Sequence, residues 1–117
     1  MPGCLLKNHL RMYRRKLGLT QDQLVLIMTA RSRTRVSALE RGLTPPTAEE
    51  CLAFQRLFGR SVAELWPHLA AAIEKDTDSR MKDLMLHIGQ RKPSSARHVE
   101  RAAYAIGQLA SVLGLRD

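Results

Sequence analysis

Cysteine is scarce in this 117-residue chain: only Cys4 and Cys51 occur, with no CxxC spacing and no second cysteine near either. That excludes a disulfide framework and a zinc knuckle, and fits reduced thiols. There is no run of 18 apolar residues, so a transmembrane helix is excluded, and the opening MPGCLLKNHL lacks the apolar stretch of a secretory signal. The chain is expected to be soluble and cytoplasmic. Acidic side chains are few, 11 Asp and Glu against 19 Lys and Arg, which gives net charge +8 and a pI near 10.3. Such a balance implies a polyanionic partner, and by itself does not separate DNA from RNA or an anionic membrane surface.

Catalytic and metal-binding patterns are missing as well. His9, His68, His87 and His98 show no i,i+4 pairing and have no cysteine nearby, so no metal site is expected. No Ser-His-Asp set, glycine-rich phosphate loop or paired-carboxylate arrangement is visible. The chain is expected to be neither an enzyme nor a cofactor carrier.

What is present is helical periodicity; strand-like alternation never persists beyond a few positions. The fold class is read as all-α. Leu6, Leu10, Tyr13 and Leu17 step along one face of a first helix that Gly18 ends, with Lys7, Arg11, Arg15 and Lys16 on the other face. Thr20 and Gln23 have the form of a capping box opening a second helix, with Leu24, Ile27 and Met28 inward. Ser32 is a good N-cap for a third helix that carries Val36 and Leu39 inside and stops at Gly42. After the non-helical Leu43-Thr44-Pro45-Pro46, Thr47 with Glu50 caps a fourth helix burying Cys51, Leu52, Phe54, Leu57 and Phe58. Ser61 with Glu64 then caps a fifth, carrying Val62, Leu65 and Trp66.

Beyond Pro67 the expected order is an Ala-rich stretch from His68 to Lys75, a break at Asp76-Thr77-Asp78, and a helix from Ser79 to Gln90. The polar breaker Arg91-Lys92-Pro93-Ser94-Ser95 and a last helix from Ala96 to Leu113 follow. Val99, Ala103, Ile106, Ala110 and Leu113 recur at 4-3-4-3 spacing on that last helix, a pattern suited to close helix pairing. Two domains are expected, 1–70 and 71–117. Charge is concentrated in the first, with 11 Lys and Arg against 5 Asp and Glu in residues 1–72 and 8 against 6 in residues 73–117.

The stretches GLTQDQL, SRTRVSALERG and GRSVAELW, in this order, resemble the Xre/Cro/lambda-repressor-type helix-turn-helix family over roughly residues 5–66. The resemblance implies a five-helix lambda-repressor-like helix-turn-helix domain followed by a C-terminal helical dimerisation segment. It also implies sequence-specific binding of double-stranded DNA, with the third helix in the major groove and the second across the backbone. Carried over by position, it makes Arg33 and Thr34 the leading base readers, with Ser37 and Ala38 one turn on. Gln21, Arg31, Arg35, Arg41 and Arg11 become phosphate contacts, and Arg14 with Glu40 a structural ion pair. The stretch from Thr20 to Gly42 is one residue longer than the commonest family spacing, and Met28-Thr29-Ala30-Arg31 lacks the usual turn glycine, which bears on the reach of Arg33.

About 45 residues after the fifth helix are too few to bury a core alone, so they are expected to pack on the first domain or on a second copy. The reading that follows is a nucleoid-bound homodimeric regulator, a repressor on an inverted-repeat operator, paired through Val99, Ala103, Ile106, Ala110 and Leu113. The alternative is an antitoxin of the HigA type, whose C-terminal helices bind a toxin while the domain represses its own operon.

Overall fold

The computed structural model describes residues 5–29, 32–91 and 95–115. Within them the regular elements are seven α-helices: α1 Leu10–Lys16, α2 Gln21–Val25, α3 Arg33–Glu40, α4 Ala48–Phe58, α5 Val62–Leu65, α6 Pro67–Gln90 and α7 Ala96–Val112. No strand occurs among the described residues. The chain divides into two compact units, Met1–Ile73 and Glu74–Asp117.

In the first unit the three capping boxes close. Thr20, Thr47 and Ser61 each accept the backbone N–H of the residue three positions on, and the Gln23, Glu50 and Glu64 side chains reach back to the cap N–H. Each box satisfies two donors that the first turn would otherwise leave orphaned. The α3 C-terminus ends in a Schellman arrangement, in which Gly42 N–H donates to Leu39 O and Leu43 N–H to Ala38 O. Gly42 sits at φ 70°, and a Cβ there would come within 3.0 Å of the Leu6 carbonyl oxygen, so this turn needs glycine for conformation and for space.

Leu10, Leu24, Met28, Val36, Leu39, Phe54, Leu65 and Trp66 form the core. Its aromatic part is a chain of rings, Tyr13 to Phe58 to Phe54 to Trp66, with centroids 6.0, 6.1 and 6.2 Å apart. Such separations fall in the range where offset and tilted pairs attract. Backbone bonds tie the ends together: His9 N–H donates to Leu65 O, joining the start of α1 to α5.

Several expectations are corrected here. Leu6 precedes α1, and Leu17, at its C-cap, is 52% exposed. Ile27 is exposed while Met28 is buried, because beyond Val25 the chain tightens into i→i+3 hydrogen bonds and the α-helical register does not extend that far. Leu52 is exposed, since two residues from Phe54 is about 200° around the helix. The place expected for apolar burial is taken instead by Glu50, only 5% exposed.

The expected break at Asp76-Thr77-Asp78 is absent, and α6 runs unbroken for 24 residues from Pro67. Proline at the first helical position starts a helix rather than stopping one. Asp and Thr within a helix cost only up to about 0.7 kcal/mol each, too little to break it. In the second unit, Ser95 caps α7 by accepting the His98 N–H, and Gly114 at φ 72° follows the helix. No residue of α6 or α7 is fully buried.

Candidate nucleic-acid interface

The site is organised around Glu40, at the end of α3 with its side chain 3% exposed. A buried carboxylate is tolerated only when its oxygens are satisfied by donors, preferably charged ones. Arg14 of α1 supplies two, Nε at 2.6 Å and Nη2 at 3.1 Å, and its Nη1 donates to the Leu19 carbonyl. Gln21, first residue of α2, donates its amide to Glu40 Oε1 at 3.1 Å. One carboxylate therefore joins α1, α2 and α3, and the arrangement orients Gln21 as well as the expected partner Arg14.

From Gln21 the network continues outward. Its Oε1 accepts from Arg33 Nε at 3.5 Å, and Arg33 also lies 3.6 Å from the Asp22 carboxylate. The Arg33 side chain is 67% exposed, so these weak contacts bias its direction without neutralising it. Val36 and Leu39 face the core, which turns Arg33 and Thr34 to the surface and leaves Ser37 and Ala38 half-buried.

Gln21, Arg33, Thr34, Ser37, Ala38 and Arg41 line one surface depression of about 410 Å³. An adjoining one of about 710 Å³ is lined by Arg11 together with Gln21, Asp22, Arg33 and Arg41. The structure thus brings together all four expected base readers and three of the expected phosphate contacts, Gln21, Arg41 and Arg11. Arg31 lies outside the described residues, as does its neighbour Ala30 in the lengthened turn.

Arg35 is placed differently from expectation. Its Nε and Nη2 donate to Glu50 at 2.8 and 2.7 Å, Nη1 donates to Thr44 Oγ1, and Nη2 donates also to the Pro45 carbonyl. Its fork is committed to clamping α3 onto the loop and cap of α4, on the surface shared with Thr29 and Glu49 rather than with Arg33. The hydrogen bonds from Arg35 hold the Glu50 carboxyl below the ordinary glutamate value; burial opposes this and the Thr47 N–H assists it. The same pairing raises the Arg35 guanidinium further.

Three further positioning groups were not read from the sequence. Asn8 donates to the Leu39 carbonyl at 2.7 Å and to Leu6 O, and its Oδ1 accepts the Leu10 N–H, so it fastens the start of α1 to the end of α3. Thr29 donates to Glu49 at 2.7 Å. Glu50 was visible only as a capping-box residue; its second role depends on where Arg35 arrives.

A short helix pair whose second member exposes its N-terminal polar face, while the first aims its N-terminus past the same surface, defines a helix-turn-helix DNA-binding module. Residues 10–65 match the family model described as Helix-turn-helix, and this segment is a domain of the Xre/lambda-repressor-type helix-turn-helix family. The chain is a DNA-binding transcriptional regulator. No curated protein and no solved structure matches the chain. No helix among the described residues is long and apolar enough to cross a membrane.

Proposed function

We propose that the chain is a repressor that binds an inverted-repeat operator as a homodimer in the cytoplasm, on the nucleoid, with α3 in the major groove. The observation that carries the base-reading part is the shared depression lined by Gln21, Arg33, Thr34, Ser37, Ala38 and Arg41. A guanidinium at Arg33 can donate twice to guanine O6 and N7, a pair worth about 1–3 kcal/mol of discrimination, while Thr34 and Ala38 suit a thymine methyl. Gln21 sits at the α2 N-terminus, where a phosphate is welcome, and Arg11 and Arg41 add positive charge on either side. Arg14 and Glu40 act as scaffold, and Arg35 is assigned to the same role rather than to phosphate.

Pairing of two copies is supported by the second unit, residues 74–117. Among its described residues it buries no side chain fully, and it leaves Leu84, Leu86, Val99, Tyr104 and Val112 exposed. Of the expected stripe, Val99 and Ala103 are exposed, whereas Ile106, Ala110 and Leu113 are half-buried. A toxin could cover the same apolar surface, but no observation favours that occupant over a second copy.

Selection of bound sequences from a random DNA pool tests the reading directly. The expected result is an inverted repeat with half-site centres about one helical turn, or a multiple, apart. With Arg33→Ala, discrimination at one base pair per half-site should relax. Salt-sensitive binding with no enriched sequence would overturn it.

A further inference from the structure

The depression lined by Arg11, Gln21, Arg33 and Arg41 also holds two carboxylates, Glu40 and Asp22. They are not equivalent. Glu40 is 3% exposed, and its charge is already matched by Arg14 with Gln21 as a further donor. Asp22, in the first turn of α2, is 70% exposed, and its Oδ2 lies 3.6 Å from Arg33 Nη1 across the gap to α3. Among the described residues lining the two depressions, it is the one open acid on a surface otherwise fitted to a polyanion.

A carboxylate in this place repels the DNA backbone whatever the base sequence. Its effect on base reading runs through Arg33. That side chain is held at two points: Nε donates to Gln21 Oε1 at 3.5 Å, and Nη1 faces Asp22. Both anchors come from adjacent residues of α2, and they leave Nη2 without a partner among the described residues. A guanidinium carries five N–H donors, so two contacts of this kind leave enough for the paired donation that guanine O6 and N7 accept. An exposed arginine without such anchors samples many rotamers, and the nearest phosphate competes with a base edge for it. Contacts this long and this exposed are weak, so they bias the direction of Arg33 and remain breakable.

We propose that Asp22 is a positioning residue that sets the specificity of this surface. Its carboxylate holds Arg33 toward a base edge, opposes the swing of Arg33 to a phosphate, and weakens binding to unrelated DNA. This role rests on Arg33 being a base reader.

The test titrates full-length protein at one salt concentration with three kinds of duplex: the sequence that wild type enriches from a random pool, its single-base substitutions, and an unrelated sequence. Arg33→Ala first locates the base pair that Arg33 reads. Asp22→Asn should lower discrimination at that pair by about two- to fivefold, the size of an exposed ion pair. It should leave the other pairs unchanged and tighten binding to the unrelated duplex. Asp22→Glu, which keeps the carboxylate, should lose less. In the Arg33→Ala background, Asp22→Asn should alter discrimination at no pair. Discrimination is a ratio of affinities, so a partly unfolded variant does not mimic its loss. Three results would overturn the proposal: unchanged discrimination in Asp22→Asn, a loss spread evenly over all base pairs, or an equal loss in Asp22→Glu. If wild type enriches no sequence, the base-reading role of Arg33 falls and that of Asp22 with it. An enriched sequence that Asp22→Asn reads equally well removes the role of Asp22 alone.

Discussion

Residues 1–73 and 74–117 are similarly helical but solve burial in opposite ways. Among the described residues of the first unit eight apolar ones are buried, and two charged ones, Arg14 and Glu50, are buried with their partners. In the second, α7 and the part of α6 beyond Ile73 bury nothing completely. Helix content is therefore a poor guide to self-sufficiency. Five short helices crossing one another enclose a core; the two long ones leave apolar side chains exposed.

The largest expected effect comes from breaking the polar centre of the first unit. Arg14→Ala leaves Glu40 buried without its bidentate partner, and the loss should be about 3–5 kcal/mol. Thermal unfolding of the full chain measures it, and a midpoint close to wild type would mean that Glu40 is more hydrated than its 3% side-chain exposure indicates. Next comes a matched pair of leucines. Leu39→Ala in α3 should cost about 2–5 kcal/mol at any protein concentration. Leu86→Ala in α6, 63% exposed, should cost within about 0.5 kcal/mol in dilute solution. If Leu86→Ala becomes costly only at high concentration, the face it occupies is covered by association.

Two glycines sharpen the comparison further, because their backbones are alike and their surroundings are not. Gly114→Ala at φ 72° meets open space and should cost only the left-handed strain, about 1–2 kcal/mol. Gly42→Ala at φ 70° adds the close Leu6 carbonyl and should cost more. Equal losses would show that the N-terminal segment yields readily. The smallest effect concerns pH. Because the folded Glu50 carboxyl lies below its ordinary value of 4.5, its contribution is fully present above that value and is lost as pH falls through the lower folded value. Glu50→Gln should therefore flatten the acid limb of stability below about pH 4.5, and denaturant unfolding at pH 7 and pH 3 provides the check.

Much of the first unit was legible in the residues. The Thr20, Thr47 and Ser61 boxes are local, each needing only a residue three positions away, and so are the stops at Gly18, Gly42 and Gly59. The inward placement of Val36 and Leu39 follows from period alone, and with it the outward placement of Arg33 and Thr34. Legibility failed where register depended on neighbours. Ile27, expected inward, is exposed while Met28 keeps its inward place, because a tightened turn ended α2, and Asp76-Thr77-Asp78, locally a cap, was absorbed into α6 because nothing opposed continuation.

Arg33 and Arg35 mark the division most clearly. Their residue type and nearness on one helix made both look like groove or phosphate contacts, and the positive charge of the first 72 residues was already plain. Only the packing of α4 against α3 brings Glu50, Thr44 and the Pro45 carbonyl to Arg35 and withdraws it from the surface where Arg33 remains. In the first unit, sequence by itself determined where α2, α3, α4 and α5 are capped and which face of α3 points outward, since these follow from contacts within a few residues. Tertiary structure decided which cations stay available for an anionic partner, because neutralisation requires a carboxylate from a distant element to arrive within hydrogen-bonding distance.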